Sequence, residues 1–508
     1  TGLPEQELLS HLSALKDSEL LYERGIYPET TYIFKHALTR EVVYDSILTT
    51  RKKKLHEVIG NAAEKLYKEN IDEHYEVLAG HFIYSENYEK GAEYSRLAGK
   101  KAAKSGSLND AISYVQKRIV CLEKLPVTDD LQKKIIDART ALGLYILQLN
   151  HPVEAKEAID PIIDLAIRND YKRRLSQIYT IIGVYNLYAE EDFPKVFKHL
   201  EEALRISDET NDIVSSYLAR HWLGVALSLN CEFEKASYYL EKALDITTAA
   251  KNLWGISVMK SALSYWVFNV QGRINLGYQT SDETVRIAEE SGDIYSKAAA
   301  YSTHGISCLY KGFFKESKEH LLKGIDFCRR INLFLWDASD HNYSGEAYFC
   351  MGEYQKSKDH YSKAIGILEH GRFSRSWINL NKISLARAKV VNNERDIDLE
   401  LLYGYVTENK LKVNDGWIRR NICEILLNFD DQQMPEAEDW ITKAIEMDEK
   451  NGTKWNLGRD YTVYAELLKR KGDQTKAKEN LNNAIDIFKE CGADGWVKKA
   501  EEELAALS

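Results

Sequence analysis

The sequence predicts an all-α, right-handed solenoid built from helix pairs of about 40 residues. Three observations carry that reading. Bulky aromatic residues recur at Trp254, Tyr295, Trp336, Trp377, Trp417, Trp455 and Trp496, at steps of 41, 41, 41, 40, 38 and 41 residues. Small residues recur in phase with them, at Gly143, Gly183, Gly224, Ser264, Gly305, Gly345 and Ala465, with Leu385 and Ile425 filling the two missing places. Only 7 prolines occur in 508 residues that are rich in Ala, Leu, Glu and Lys, a composition that favours helix.

The first 70 residues stand outside this period. Residues 5–16 read as a helix. Leu20 to His36 reads as two short strands about a turn near Tyr27-Pro28-Glu29. Two helices follow, at about 39–48 and 51–69. Helix, hairpin, helix is the pattern at the end of a winged-helix domain. The expected organisation is therefore a truncated winged-helix (α+β) module with a linker helix over 1–70, N-terminal helical repeats over 71–128, the repeat array over 129–493, and a capping helix over 494–508.

Within the array, small residues follow the anchors at two fixed offsets. Twelve positions on come Ala155, Ala236, Ser317, Ser357, Ala437 and Ala477; nineteen on come Ala243, Gly324, Ala364, Gly404, Ala444 and Ala484. Such positions are needed where two antiparallel helices approach closely. Lys311-Gly312, Met351-Gly352 and Lys471-Gly472 end first helices, where glycine takes the left-handed cap. Asn230-Cys231 occupies the same place in its repeat. Pro152, Pro194 and Pro435 fall near the starts of second helices. Pro161 lies inside an apolar helical run and is expected to kink or split it. The repeats at 255–294 and 376–415 depart most from the pattern.

Composition excludes several classes. The net charge is −10 with both signs mixed along the chain, which argues against a nucleic-acid surface as the main role. No run of about 18 apolar residues is present, so no membrane span is expected. The 7 cysteines contain no CxxC pair and read as reduced residues in helix packing, which suggests a cytoplasmic protein. The chain opens Thr1-Gly-Leu-Pro with neither an initiator Met nor a signal-peptide pattern, and is expected to be a piece of a longer protein.

The unit Trp222-Leu-Gly-Val-Ala-Leu-Ser-Leu-Asn-Cys-Glu-Phe-Glu-Lys-Ala236, followed by Ala243, resembles the tetratricopeptide repeat, with each helix longer by part of a turn. The resemblance covers roughly residues 72–508. The earlier run Tyr32-Ile-Phe-Lys-His-Ala-Leu-Thr-Arg-Glu-Val-Val-Tyr-Asp-Ser-Ile-Leu48, then Arg51-Lys-Lys-Lys-Leu-His56, is similar to the winged-helix end of STAND-type signal-transduction ATPases. It most resembles the bacterial type that joins a class III nucleotide cyclase or a protein kinase to an AAA-like ATPase and a tetratricopeptide tail.

That resemblance implies a role for His36: in the intact parent, the histidine of the Phe-Lys-His-Ala-Leu motif packs toward the nucleotide phosphates and helps hold the ADP-bound state. ATP or ADP and Mg would belong to the parent. This chain has no GxxxxGK[ST] loop, its Gly99-Lys100 lies in a helical stretch, and no cofactor or metal is expected in it. No GxSxG, HExxH or kinase signature occurs, so no catalytic residue is assigned. His74 and His81, seven apart, read as helix-face residues, and Arg51 to Lys54 as the solvated start of a helix.

The resemblance to tetratricopeptide arrays further implies a concave groove lined by first-helix positions at three fixed offsets from each anchor. Carried onto this sequence, the expected contacts to a protein, peptide or small ligand are Thr180, Tyr188, His221, Tyr265, Asn269, Ser302, Tyr310, Asn342, Glu346 and Lys382. The recurring tryptophans, at first-helix starts, are assigned to core and inter-repeat packing. The leading functional expectation is a non-catalytic sensor and interaction arm of a STAND-type ATPase, biasing an upstream nucleotide switch. The alternatives are a constitutive scaffold for protein assembly and the helical-repeat part of a maltose-regulator-like activator. The last ranks low because that type ends in a DNA-binding helix-turn-helix and this chain ends at Ser508 without one.

Overall fold

The computed structural model describes residues 3–24 and 31–507. The chain divides into two compact units, Thr1–Lys101 with Gln116–Pro126, and Ala102–Val115 with Val127–Ser508.

The first unit opens with α1 (Glu5–Asp17) and a hairpin of β1 (Leu21–Arg24) and β2 (Thr31–Phe34). The strands are antiparallel, with Leu21 opposite Phe34 and Arg24 opposite Thr31. The turn expected near Tyr27-Pro28-Glu29 lies outside the described residues. Then come α2 (Ala37–Ser46), α3 (Thr49–Leu66), a 3-10 turn over Ile71–His74 and α4 (Tyr75–Tyr84). The core here is small, centred on Leu78, Ala79, Phe82 and Tyr94. Helix α2 buries nothing and leaves Leu38, Val42, Val43 and Tyr44 exposed. Helices α5 (Tyr88–Lys104) and α6 (Leu108–Leu122) contribute residues to both units.

The second unit is an α-solenoid of tetratricopeptide-like helix pairs. Helix α7 (Asp129–Gln148) pairs with a second element that Pro161 divides. The proline lacks an N–H and clashes with the preceding turn. The helix accordingly stops as α8 (Pro152–Ile159), passes through a 3-10 turn at Asp160–Ile162 and resumes as α9 (Ile163–Arg168). The following pairs are α10 (Lys172–Tyr185) with α11 (Phe193–Glu209), α12 (Ile213–Leu229) with α13 (Phe233–Ala249), and α14 (Leu253–Ala262) with α15 (Ile274–Ser291). Next are α16 (Ile294–Lys311) with α17 (Phe314–Ile331), α18 (Phe334–Cys350) with α19 (Tyr354–His370), and α20 (Arg375–Val391) with α21 (Leu399–Thr407). The array ends with α22 (Asp415–Phe429) and α23 (Met434–Asn451), α24 (Lys454–Arg470) and α25 (Gln474–Cys491), and the cap α26 (Asp494–Ala505).

Local chemistry explains the elements. Asp212, Asn252 and Asp293 each accept the backbone N–H three residues on and so cap α12, α14 and α16. The small anchors sit where paired helices touch: a Cβ on Gly224 would lie 2.6 Å from Leu240, which leaves no room for a side chain. The irregular repeat at 255–294 has a physical cause. Its first helix continues through a π-helical segment, Leu263–Asn269, and α10 likewise continues through Asn186–Glu190. A π turn closes i→i+5 bonds and shifts the side chains after it out of the α-helical phase. All seven cysteines are free, five of them buried. Among the described residues, no helix is long and apolar enough to cross a membrane.

The array winds tightly enough to meet itself. Contacts join residues 181 to 187 positions apart, between four and five repeats on. The Glu191 carboxylate accepts from the Ser376 N–H at 2.9 Å and its hydroxyl at 2.7 Å. Lys311 Nζ donates to the Gly492 carbonyl at 2.9 Å and pairs with Asp494 at 2.5 Å. Trp496 Nε1 donates to the Leu309 carbonyl at 2.9 Å. Gly312 makes the approach possible. It has φ of 84°, and an added Cβ would lie 2.7 Å from the backbone of Gly495 and Trp496. Gly312→Ala is therefore expected to lower stability by about 2–4 kcal/mol through backbone strain plus overpacking, read as a drop in Tm by calorimetry.

Candidate functional site

Because the coil closes, its inner face is an interior rather than an open groove. Of the ten positions expected to line such a groove, Thr180, Tyr188, Tyr265, Asn269, Ser302, Tyr310, Asn342 and Glu346 are buried, and only His221 and Lys382 keep partial exposure. The structure differs here from the open concave surface expected from the sequence.

Six of the ten are engaged within the protein. Thr180 Oγ1 donates to the Ser176 carbonyl, Asn269 Nδ2 to Ser307 Oγ at 2.9 Å, and Ser302 Oγ to Asp340 at 2.7 Å. Tyr310 packs on Trp455 with ring centroids 4.4 Å apart, and Lys382 pairs with Glu369 at 2.8 Å. Glu346 is fully buried and accepts from Arg387, from both Nη atoms of Arg459 at 3.2 Å, and from the Tyr361 hydroxyl at 2.9 Å. Burial alone would raise its pKa, but Arg387 and Arg459 outweigh burial and hold it at about 2.

The other four, Tyr188, His221, Tyr265 and Asn342, come together around one cavity. Its volume is about 70 Å³. Both π segments feed it: Asn186–Glu190 supplies Tyr188, and Leu263–Asn269 supplies Tyr265 and Trp266. Such segments recur at functional sites. Helix α12 contributes His221 and Trp222, α16 contributes Tyr295, α18 contributes Trp336, Ser339 and Asn342, and α20 contributes Trp377 and Asn381.

The rings brace one another. His221 stacks on Trp222 at 4.9 Å and 7°, Tyr265 on Trp266 at 4.1 Å and 29°, and Trp336 lies 5.6 Å from Tyr265. The Tyr265 hydroxyl and Ser339 Oγ are 2.9 Å apart. No Asp, Glu, Lys or Arg is among the described residues that line the cavity. Burial lowers the His221 imidazole to about 4 and raises the Tyr295 phenol to about 12, so both are neutral at pH 7. The amides stand out. Asn342 is 1% exposed, and neither its Nδ2 nor its Oδ1 has a hydrogen-bond partner in the protein. Asn381 donates through Nδ2 to the Trp377 carbonyl at 2.8 Å and leaves its Oδ1 unpaired. Unpaired buried amides are uncommon, because each costs about 1–3 kcal/mol.

Sequence reasoning missed Trp222, Trp266, Tyr295, Trp336 and Trp377 as lining residues. Trp417, Trp455 and Trp496 are core side chains, as assigned, but Tyr295, Trp336 and Trp377 also wall the cavity. Three consecutive members of the 41-residue echo thus share one face of the coil. His36, the residue assigned to nucleotide sensing in the parent, is exposed at the junction of β2 and α2, and its carbonyl accepts from the Arg40 N–H at 3.2 Å. Among the described residues, no three His, Cys, Asp or Glu side chains converge in a metal-binding arrangement.

No protein-family model matches the sequence, and no curated protein matches it. Solved structures similar to the chain include a Rap protein complexed with competence and sporulation factor, at 12% identity and a TM-score of 0.35, covering 82% of this chain and 97% of that one. A STAND protein with a tetratricopeptide-repeat sensor from Pyrococcus horikoshii is similar at 14% identity and a TM-score of 0.36, covering 100% of this chain and 72% of that one. The apo form of RapI is similar at 11% and 0.30, covering 82% and 98%.

Two outcomes follow from this geometry. Glu346→Gln leaves the buried Arg459 without its carboxylate and Arg387 with Glu424 alone, and is expected to destabilise the protein by about 3–5 kcal/mol in urea denaturation. The folded pKa of His221 lies below its ordinary value of 6.5. The unfolded chain therefore binds the extra proton first as pH falls, and the His221 contribution, complete above 6.5, is lost between there and about 4. The difference in Tm between wild type and His221→Phe should shrink across that window; a constant difference would contradict it.

Proposed function

We propose that this chain is a non-catalytic sensor arm whose ligand binds inside the coil, in the aromatic cavity, and thereby biases a nucleotide switch in an upstream ATPase module. The observation that carries the reading is the cavity itself: a space walled by aromatic rings, with a buried amide, Asn342, that finds no partner in the protein. Among the described residues, Asn342 is the one buried amide that leaves both of its polar atoms unpaired.

The link to a switch rests on two supports. The run Tyr32 to His56 resembles the winged-helix end of STAND-type ATPases. In addition, α2 leaves a row of apolar side chains exposed, which suits a surface that a neighbouring module covers. Occupancy of the cavity would act by changing how tightly the turns of the coil hold one another. A ligand shifts such an equilibrium only by its differential affinity for the two states.

Ala262 and Val225 line the cavity and are buried, so Ala262→Phe and Val225→Phe should fill it from two sides. In the intact protein, both are expected to alter the ADP-to-ATP ratio bound at steady state, or the output, and to abolish its response to ligand. Variants that stay folded by circular dichroism and leave both quantities unchanged would rule the sensor reading out. They would then favour a constitutive scaffold, whose partner binding is indifferent to nucleotide.

A further inference from the structure

We infer that the ligand of this cavity is an uncharged, flat heteroaromatic molecule with a hydrogen-bond donor and acceptor side by side on one edge, and that Asn342 reads that edge. The inference rests on the reading of the cavity as a ligand site and names what the site selects.

Charge is the first discriminator. The cavity is walled without a single Asp, Glu, Lys or Arg among its described residues, and its histidine is neutral. An ion placed there would lose its hydration with nothing to replace it. An unblocked peptide, with its two charged termini, is disfavoured on that ground. A quaternary ammonium would suit the rings, but it has nothing to offer an amide, and no carboxylate lines the cavity to balance it.

Shape is the second. The walls are rings braced in stacked pairs, His221 on Trp222 and Tyr265 on Trp266. They leave a volume of about 70 Å³ between them. A planar ring laid against such walls gains stacking contact.

The polar edge is the third. A primary amide carries an N–H donor and a carbonyl acceptor a short distance apart. Asn342 holds both unpaired at 1% exposure. The matching edge is a lactam or an amino-substituted ring nitrogen, the same geometry by which an asparagine pairs with one edge of adenine. The free Oδ1 of Asn381 offers a further acceptor among the lining residues. Tyr265, by contrast, is already engaged with Ser339.

The test is a binding panel followed by tryptophan fluorescence and calorimetry on the full chain. Its members are quinazolin-4-one and adenine (flat, neutral, with the edge), naphthalene (flat, without it), choline and an unblocked pentapeptide. Quinazolin-4-one or adenine is expected to bind at least tenfold tighter than naphthalene. Asn342→Leu should erase that ratio while raising the Tm of the unliganded protein, because it removes an unpaired polar group. Ala262→Phe should weaken all binding. Naphthalene binding as well as the edged rings, or Asn342→Leu retaining the preference, overturns the role of the edge. Choline or the pentapeptide binding more tightly, in a manner lost in Ala262→Phe, overturns the ligand class but keeps the cavity as a site. If no member of the panel binds and Asn342→Leu only stabilises, both readings fall.

Discussion

Contacts between residues more than 180 positions apart set the character of this molecule. Glu191 receives Ser376, and Lys311 reaches Gly492 and Asp494, so each turn of the coil rests on the next. An array of helix pairs with a larger turn would present its first helices to solvent. Here they face one another across the axis. Polar residues on that face must then find partners in the protein, as Asn269 does with Ser307, Ser302 with Asp340, and Arg420 with Asp460 at 2.8 Å.

The axis is divided chemically. One stretch is ionic, with Glu346 held between Arg387 and Arg459 while those guanidiniums lie on Phe349 at 3.8 Å and Trp496 at 4.2 Å. Removing one member of such a buried set costs more than the set contributes as a whole, because the remaining charge loses its counterpart. The other stretch is aromatic and neutral, and it holds the cavity. Tyr265, Trp266 and Trp377 wall both that cavity and a second, smaller space that reaches Trp417.

The helix pairs, their caps and the split at Pro161 were legible in the sequence because they are local. Periodicity, a small residue under Leu240 and a missing N–H each act within one repeat. The tightness of the coil was not, because it sums small rotations between neighbouring repeats, each fixed by how side chains interlock. Glu346 would lose Arg459, which comes from a later repeat of the array, in a wider coil. That is why the ten named positions part company: four gather at the cavity, and six are taken up by their neighbours. The π segments were hidden for a related reason. They displace Tyr188, Tyr265 and Trp266 from an α-helical phase without disturbing the spacing of the aromatic echo. The echo itself held more than was taken from it, since Tyr295, Trp336 and Trp377 form a wall as well as a core.

The clasp between Lys311 and α26 bears on how the array comes apart. Repeat proteins are usually treated as a line of units, each held only by its neighbours, so that the ends fray and unfolding travels inward. A cap fastened to a helix in the middle of the array breaks that description. The terminal repeat cannot peel away without releasing Leu309 and Gly492 together, and the turn between them moves as one cooperative block. Hydrogen exchange in α26 would then follow the middle of the array rather than its free end, and under mechanical load the C-terminal repeats would yield in one event instead of one by one.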